Sequence, residues 1–405
     1  MSPRILALSE LFWPEGGGAE LATYLVTDVL SGVFEVTVVT GSKNSATLPS
    51  VEYVHEPLLA CREKPFLWLN VLRLVKTERF KRLILEADII YIPRLAFPAI
   101  PYAKKMGKKV VVHLHDYIPI SYSAAVLAPY EEHRHRITLD NLALECWKGV
   151  EYCAGAALLW WLPRVASKWI ARADKVVCVS KRQAGIISDL VPELRSKIEV
   201  VYNPLPLELV NMSLEKSPSD IPTFLYIGGD SYVKGFHILL QAMGELGKRG
   251  VKARFILSNS YRQRSLKALK ALSEKYGKLE INVVGRIEHR ELLSLHRGAW
   301  ALLFPSIWEE PLPYTIIESM LMGTIPIASN VGDIPEIVGG TYAEKMLFEA
   351  SNINKFVDKM ESILAMSDEQ IMDVGPSLRE AALKKFDSEA VKRKLMKIFS
   401  SLTLA

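Results

Sequence analysis

The residues best suited to chemistry lie in Phe304-Pro305-Ser306-Ile307-Trp308-Glu309-Glu310-Pro311-Leu312-Pro313-Tyr314-Thr315-Ile316-Ile317-Glu318. Seven residues separate Glu310 from Glu318. Pro311 and Pro313 suit a helix start, so the spacing predicts a helix beginning near Tyr314. Glu310 then stands in the loop after a strand, and Glu318 about one turn inside the helix. Each carboxylate accepts hydrogen bonds from two donors, as pairs of sugar hydroxyls offer. The amides near Tyr314 and Thr315 would point their positive ends at phosphates between the two acids. One glutamate at a helix start is ordinary; two in this setting suggest two contacts to one ligand.

Other candidates follow apolar runs. After Thr223–Ile227 comes Gly228-Gly229-Asp230-Ser231-Tyr232-Val233-Lys234-Gly235. Lys234 there adds a cation to an amide-rich helix start, a fit for pyrophosphate, although a lysine near a turn is often just solvated. Near the N-terminus, Pro14-Glu15-Gly16-Gly17-Gly18-Ala19-Glu20 leads into a helix. It is neither a GxGxxG dinucleotide fingerprint nor a Walker loop, and reads either as an anion contact through Gly17 and Gly18 or as a flexible turn. The run Lys109–His113 leads into Leu114-His115-Asp116. His113 and His115 share one face of the strand, and His115 lies at its end, within reach of a ligand. No third residue has metal-ligand spacing, so no metal is expected. His133 and His135 sit in a charged segment and read as solvated.

The elements that must position these residues alternate. Apolar β-branched runs at Arg4–Leu8, Phe34–Thr40, Ile89–Ile92, Lys109–His113 and Lys175–Val179 form a first set. Thr223–Ile227, Ala253–Leu257, Ile281–Val284, Ala301–Phe304 and Ile325–Ala328 form a second. Near-continuous apolar runs are what strands buried on both faces show. Amphipathic stretches such as Ala19–Leu30, Phe236–Leu246 and Ser265–Lys275 lie between them. The alternation predicts an α/β fold of two parallel sheets covered by helices, with ligands beyond the carboxyl ends of the strands. The turn-rich Tyr202-Asn203-Pro204-Leu205-Pro206 is the expected hinge. It gives a first domain 1–203 and a second 204–387, followed by a helical stretch at about 388–405.

A chain of 405 residues with 49% apolar and 23% charged residues is too hydrophobic to be disordered. Its four cysteines, Cys61, Cys146, Cys153 and Cys178, are too few for a disulfide scaffold and suggest a reducing compartment. The apolar run after Arg4 is too short for a secretory signal, and Tyr152–Pro163, one of the longest apolar stretches, falls short of the roughly 20 residues a spanning helix needs. Mean hydropathy is nevertheless high, at +0.14. Net charge is +5, unevenly spread: Arg62 to Lys109 holds twelve basic and four acidic residues, a net of +8, which leaves the remainder at −3. Such a window suggests an anionic partner.

Taken in order, these motifs resemble glycosyltransferase family 4, the retaining group 1 enzymes of the GT-B fold that use nucleotide sugars. The match runs from Gly16 to about Val338. It includes the Gly-rich loop, His115-Asp116, Asn203-Pro204, Lys234-Gly235, Gly285, Glu310-x7-Glu318, Ser319-Met320-x-x-Gly323-x-x-Pro326 and Ile334-Pro335-Glu336. The resemblance implies two Rossmann-like domains facing across a cleft, the first for the acceptor and the second for the donor. The final helix would cross back onto the first domain. It implies Glu310 on the donor sugar's hydroxyls, Glu318 on the ribose, and Lys234 with the amides of Leu312 to Thr315 on the pyrophosphate. Gly17, Gly18 and Gly229 would be further donor contacts, the base would lie near Arg286 and Ile287, and His115 would stand by the transferred sugar. No cofactor or essential metal is implied. Two departures stand out. The family's arginine five residues before the lysine is Gly229, with Arg286 a substitute, and its Gly-Phe-Gly after the first glutamate is Pro311-Leu312-Pro313, whose first residue has no amide to donate.

The acceptor domain would hold the +8 window. There Phe66–Lys76 and Arg79–Arg82, and further on a second apolar aromatic segment, Leu158-Leu159-Trp160-Trp161-Leu162, read either as a membrane-surface helix or as a core-packed helix with a solvated basic face. The expectation is a cytoplasmic enzyme at the inner face of the cell membrane, with a sugar or lipid-linked acceptor and no nucleic-acid partner. A nucleotide-sugar epimerase of the same fold and a non-catalytic nucleotide-sugar-binding subunit are the alternatives.

Overall fold

The computed structural model describes residues 2–61 and 63–403. Arg62, one of the twelve basic residues of the charged window, and the last two residues of the C-terminal segment lie outside the described residues.

The chain forms two compact units, 1–126 with 136–206 and 386–405, and 127–135 with 207–385. The first unit holds seven parallel strands: β1 (Arg4–Ser9), β2 (Glu35–Thr40), β3 (Val51–His55), β4 (Ile89–Ile92), β5 (Lys109–Leu114), β6 (Lys175–Cys178) and β7 (Ile198–Val200), in the order β3-β2-β1-β4-β5-β6-β7. The second holds six: β8 (Thr223–Tyr226), β9 (Ala253–Ser258), β10 (Leu279–Gly285), β11 (Ala301–Phe304), β12 (Ile325–Ser329) and β13 (Leu347–Phe348), in the order β10-β9-β8-β11-β12-β13. Every strand that the apolar runs predict is present. The three missed, β3, β7 and β13, are edge strands: β3 and β7 are partly exposed, and β13 has two residues. An edge strand can bury less, so these three lack the continuous apolar run that the edge strand β10 keeps.

In each sheet the order reverses between two central strands, β1 and β4 in the first and β8 and β11 in the second. Loops leaving adjacent strands on either side of such a switch point diverge and leave a crevice. The final helix, which follows the second unit in sequence, packs into the first: Val391, Leu395, Ile398 and Phe399 join a core with Ile5, Val26, Phe34 and Tyr91. Phe399 meets Tyr91 edge-on at 5.4 Å.

The charged window is not one basic face. Arg94 is largely buried against Glu10 and Glu20, and Lys104 pairs with Asp174 at 2.7 Å. Helix α1 (Gly18–Ser31) follows the Gly-rich loop. Helix α2 (Lys64–Leu74) packs one face into the core, burying Leu67, Trp68, Val71 and Leu74 and leaving Phe66, Leu69 and Arg73 exposed. Trp68 donates through Nε1 to the Leu95 carbonyl at 3.0 Å. The cysteines do not all remain thiols. Cys146 and Cys153 form one local disulfide between helices α3 (Ile137–Lys148) and α4 (Val150–Leu159), which bears out the lack of a disulfide scaffold but runs against the reducing compartment expected from the cysteine count.

Candidate active site

The second sheet's switch point explains the site. The loop after β8 brings Lys234, the loop after β11 brings Glu310, and the two strands are paired neighbours. The lysine ammonium donates to both oxygens of the carboxylate, at 2.8 and 2.9 Å. Glu310 is 2% exposed. A carboxylate so buried needs partners, and Ser306 Oγ and Trp308 Nε1 donate to the same Oε1. Lys234 also stands 5.3 Å from the centre of the Trp308 ring and 5.5 Å from that of Phe304, where ring faces favour a cation.

Backbone geometry sets this register. Gly235 has φ +74°, and a Cβ there would lie 1.7 Å from the Pro305 carbonyl oxygen. Only glycine lets the loop after β8 press this closely on the loop after β11. Leu312 adopts φ +44°, unusual for a residue with a side chain. It is held there by its amide, which donates to Asp333 Oδ2 at 2.7 Å, and by its buried side chain. Pro311 and Pro313 bracket that kink, and helix α7 (Tyr314–Leu321) begins at Tyr314 as expected. With the Leu312 amide engaged by Asp333 and none on Pro313, the amides of Tyr314 and Thr315 mark the positive end of α7.

Glu318 is buried inside α7 and accepts from Nε2 of His289 at 2.7 Å. This hydrogen bond, opposed by partial burial, raises the imidazole pKa. His289 opens helix α6 (His289–Gly298), after helix α5 (Phe236–Lys248) in the chain. Gly229 has φ +63°, and a Cβ would lie 3.0 Å from the Ser260 carbonyl. An arginine there would be strained, which accounts for the departure at this position. Arg286 follows β10, an exposed edge strand two places from β8.

Adjacent glutamates do different work. Glu309 is buried and accepts from the Tyr130 amide at 2.6 Å and the Gly332 amide at 3.1 Å. It thereby ties Leu127–His135, a stretch that leaves the first unit for the second, to the loop after β11. The Ala128 amide adds a bond to the Ile307 carbonyl at 3.0 Å. The sequence signal for this role is an unexplained second glutamate beside Glu310. His289 and Asp333, the other residues missed, carry no local signal.

In the first unit, Glu10 follows β1 and Arg94 follows β4, across that sheet's switch point. Arg94 donates to Glu10 at 3.2 Å and to Glu20 at 3.0 Å. Glu20 in turn accepts from the Gly17 amide at 2.7 Å, so the Gly-rich loop is capped by the chain's own carboxylate, with Gly18 beginning α1. His115 stands at the end of β5, its ring centre 4.3 Å from that of His113. Burial, then His113 and Arg94, hold its pKa well below the ordinary range, so the imidazole is neutral. Its Nε2 is buried and makes no hydrogen bond among the described residues. His113 accepts or donates at Nδ1 with the Tyr91 hydroxyl, 3.0 Å away. Among the described residues no cluster of His, Cys, Asp and Glu is arranged to hold a metal ion.

Two doubly wound parallel sheets, each with ligand-facing loops at its switch point, define the GT-B class of fold. Residues 16–209 match the family model for Glycosyltransferase Family 4 and residues 212–376 that for Glycosyl transferases group 1. The chain belongs to this family of glycosyltransferases. Its curated relatives include a glycogen synthase of Mycobacterium tuberculosis, 24% identical over 58% of this chain and 56% of the other. Spore coat protein SA of Bacillus subtilis is 23% identical over 57% of this chain and 68% of the other. The match thus spans little more than half the length of the glycogen synthase. Among solved structures, Anabaena HepE in complex with UDP and glucose is similar with a TM-score of 0.69 at 19% identity, over 98% of this chain and 100% of that one. Sucrose-phosphate synthase from Thermosynechococcus elongatus is similar with a TM-score of 0.73 at 17% identity, over 99% of both chains.

Proposed function

We propose that this protein is a retaining glycosyltransferase that moves a hexosyl group from a nucleotide diphosphate sugar to an acceptor hydroxyl. The observation that supports this best is the buried Glu310 held by Lys234 at the switch point of the second sheet. The lysine turns from the carboxylate to the donor's diphosphate, and Glu310 then accepts from the sugar's hydroxyls. The amides of Tyr314 and Thr315 add the helix dipole, and Glu318 takes the ribose hydroxyls. Gly229 supplies backbone only, and Arg286 with Ile287 borders the base. These groups neutralise the diphosphate without a resident metal. Neutral His115 offers its unspent Nε2 to the transferred sugar. A donor phosphate oxygen takes the acceptor's proton on the face where the anomeric bond to phosphate breaks and the new glycosidic bond forms, which keeps the anomeric configuration.

UDP-glucose leads the donor candidates, because a HepE structure contains it. We read the acceptor as lipid-linked or otherwise membrane-associated, and the enzyme as working at a membrane surface. Glycine at position 229, where the family's arginine would be strained, favours one second reading, a nucleotide-sugar-binding subunit without transfer. A thermal-shift screen of UDP-glucose, UDP-N-acetylglucosamine and GDP-mannose, followed by donor hydrolysis without acceptor, decides between them. The proposal expects one donor to raise the melting temperature and to release nucleotide diphosphate. Binding without release over long incubation supports the second reading, and no binding overturns both.

A further inference from the structure

Helix α4 has the sequence Val-Glu-Tyr-Cys-Ala-Gly-Ala-Ala-Leu-Leu, and of these only Ala156 is buried. Val150 is 84% and Leu158 74% exposed. The surroundings repeat the pattern, with Leu139 on α3, Tyr152 on α4, and Trp160 and Trp161 just beyond it all exposed. A surface helix normally hides its apolar stripe, and a helix apolar all round is normally buried. Helix α4 does neither, whereas α2 buries Leu67, Trp68, Val71 and Leu74 and leaves Phe66 and Leu69 exposed. Large apolar side chains exposed together along α4 and on its neighbours mark an interaction site.

The chemistry around the patch points to its occupant. Arg164 stacks over the Trp160 ring at 4.6 Å, and Lys148 stands over Tyr152 at 5.9 Å. Arg164, Lys168 and Arg172 are exposed beyond the aromatic pair, against the exposed acid Glu151; Glu145 is buried and paired with Lys148. Tryptophan and tyrosine rings flanked by cations suit the boundary between acyl chains and anionic headgroups. A helix of 10 residues is about 15 Å long, half a bilayer's hydrocarbon thickness, so it can lie in the surface but cannot cross it. The Cys146–Cys153 bridge ties α3 to α4 across Gly149 and holds the two as one hairpin.

We propose that the disulfide-tied α3–α4 hairpin seats the first unit on an anionic bilayer, with α4 lying in the interface and Arg164, Lys168 and Arg172 against the headgroups. This rests on the membrane-associated acceptor proposed above and identifies the surface that reaches it. The test is co-sedimentation of the full chain with phosphatidylcholine vesicles, with and without phosphatidylglycerol, at low salt, together with tryptophan emission. The wild type is compared with Val150→Glu/Leu158→Glu and with Arg164→Glu/Lys168→Glu. All four side chains are exposed, and unchanged melting temperature and nucleotide diphosphate binding confirm folding. The wild type should bind the anionic vesicles with a blue-shifted emission. The apolar double variant should partition about 100-fold more weakly, roughly tenfold for each apolar side chain withdrawn, and the charge variant should lose its preference for anionic lipid. Wild-type binding that both variants retain overturns the hairpin as the docking surface while leaving the membrane reading in place. No binding by the wild type overturns both. If the wild type instead self-associates and the apolar variant is monomeric, the patch is an interface between copies, and the proposal falls.

Discussion

The pairing of Lys234 with Glu310 predicts that two substitutions at one salt bridge affect donor binding in different ways. In the unliganded protein the ammonium is bound to both carboxylate oxygens, so it must leave Glu310 to meet a diphosphate. A buried pair broken from one side costs about 3–5 kcal/mol, but here a third of the lysine side chain is exposed, and Ser306 and Trp308 remain on the carboxylate. The discounted cost of Lys234→Met is about 1–2 kcal/mol, a fall of roughly 2–8 °C in the melting temperature of a unit this size. Nucleotide diphosphate affinity should also fall, by about 10- to 100-fold, for the loss of one charge-assisted contact. Glu310→Gln keeps the shape and frees the lysine. Affinity for the diphosphate should therefore hold or tighten, by up to about tenfold, while transfer falls on the order of 100- to 1000-fold. Isothermal titration with the nucleotide diphosphate and a product-release assay measure the two effects. A Glu310→Gln protein that loses diphosphate affinity as Lys234→Met does would show that the glutamate merely anchors the lysine. One that transfers within about threefold of the wild type would remove Glu310 from the reaction.

Three further outcomes follow from neighbouring groups. His289 has a folded-state pKa above its unfolded value of about 6.5, so its pairing with Glu318 stabilises most below that pH and the contribution is lost as pH rises through the folded value. The stability gap between wild type and His289→Gln, read by urea denaturation, should accordingly be widest in acid and close towards alkaline pH; a gap independent of pH refutes the pairing. Glu309→Ala strips the acceptor from two backbone amides at about 1–3 kcal/mol each, less where water enters, and hydrogen exchange at the Tyr130 amide should accelerate while that at Leu225 does not. Gly235→Ala cannot keep its place against the Pro305 carbonyl at φ +74°, so it should lower stability by more than the roughly 1–2 kcal/mol of the backbone conformation alone, and should weaken diphosphate binding with it.

Local patterns were enough to read ten of the strands, the ligand side beyond their carboxyl ends and the candidates Lys234, Glu310 and Glu318, because strand burial and helix starts are local properties. Other features depend on which loops meet. Lys234 and Glu310 are far apart in sequence, and they meet because β8 and β11 are neighbours. Neighbouring Glu309 and Glu310 look alike in sequence, yet one faces the lysine and the other holds the Tyr130 and Gly332 amides. His289 became a partner of Glu318 only where the start of α6 met α7. Helices α2 and α4 are both rich in apolar residues, and packing decided that Trp68 would be core and Leu158 surface. Local sequence sets what each segment can bury or bind; the tertiary structure chooses among those possibilities, since burial and pairing belong to contacts between segments and not to any one of them.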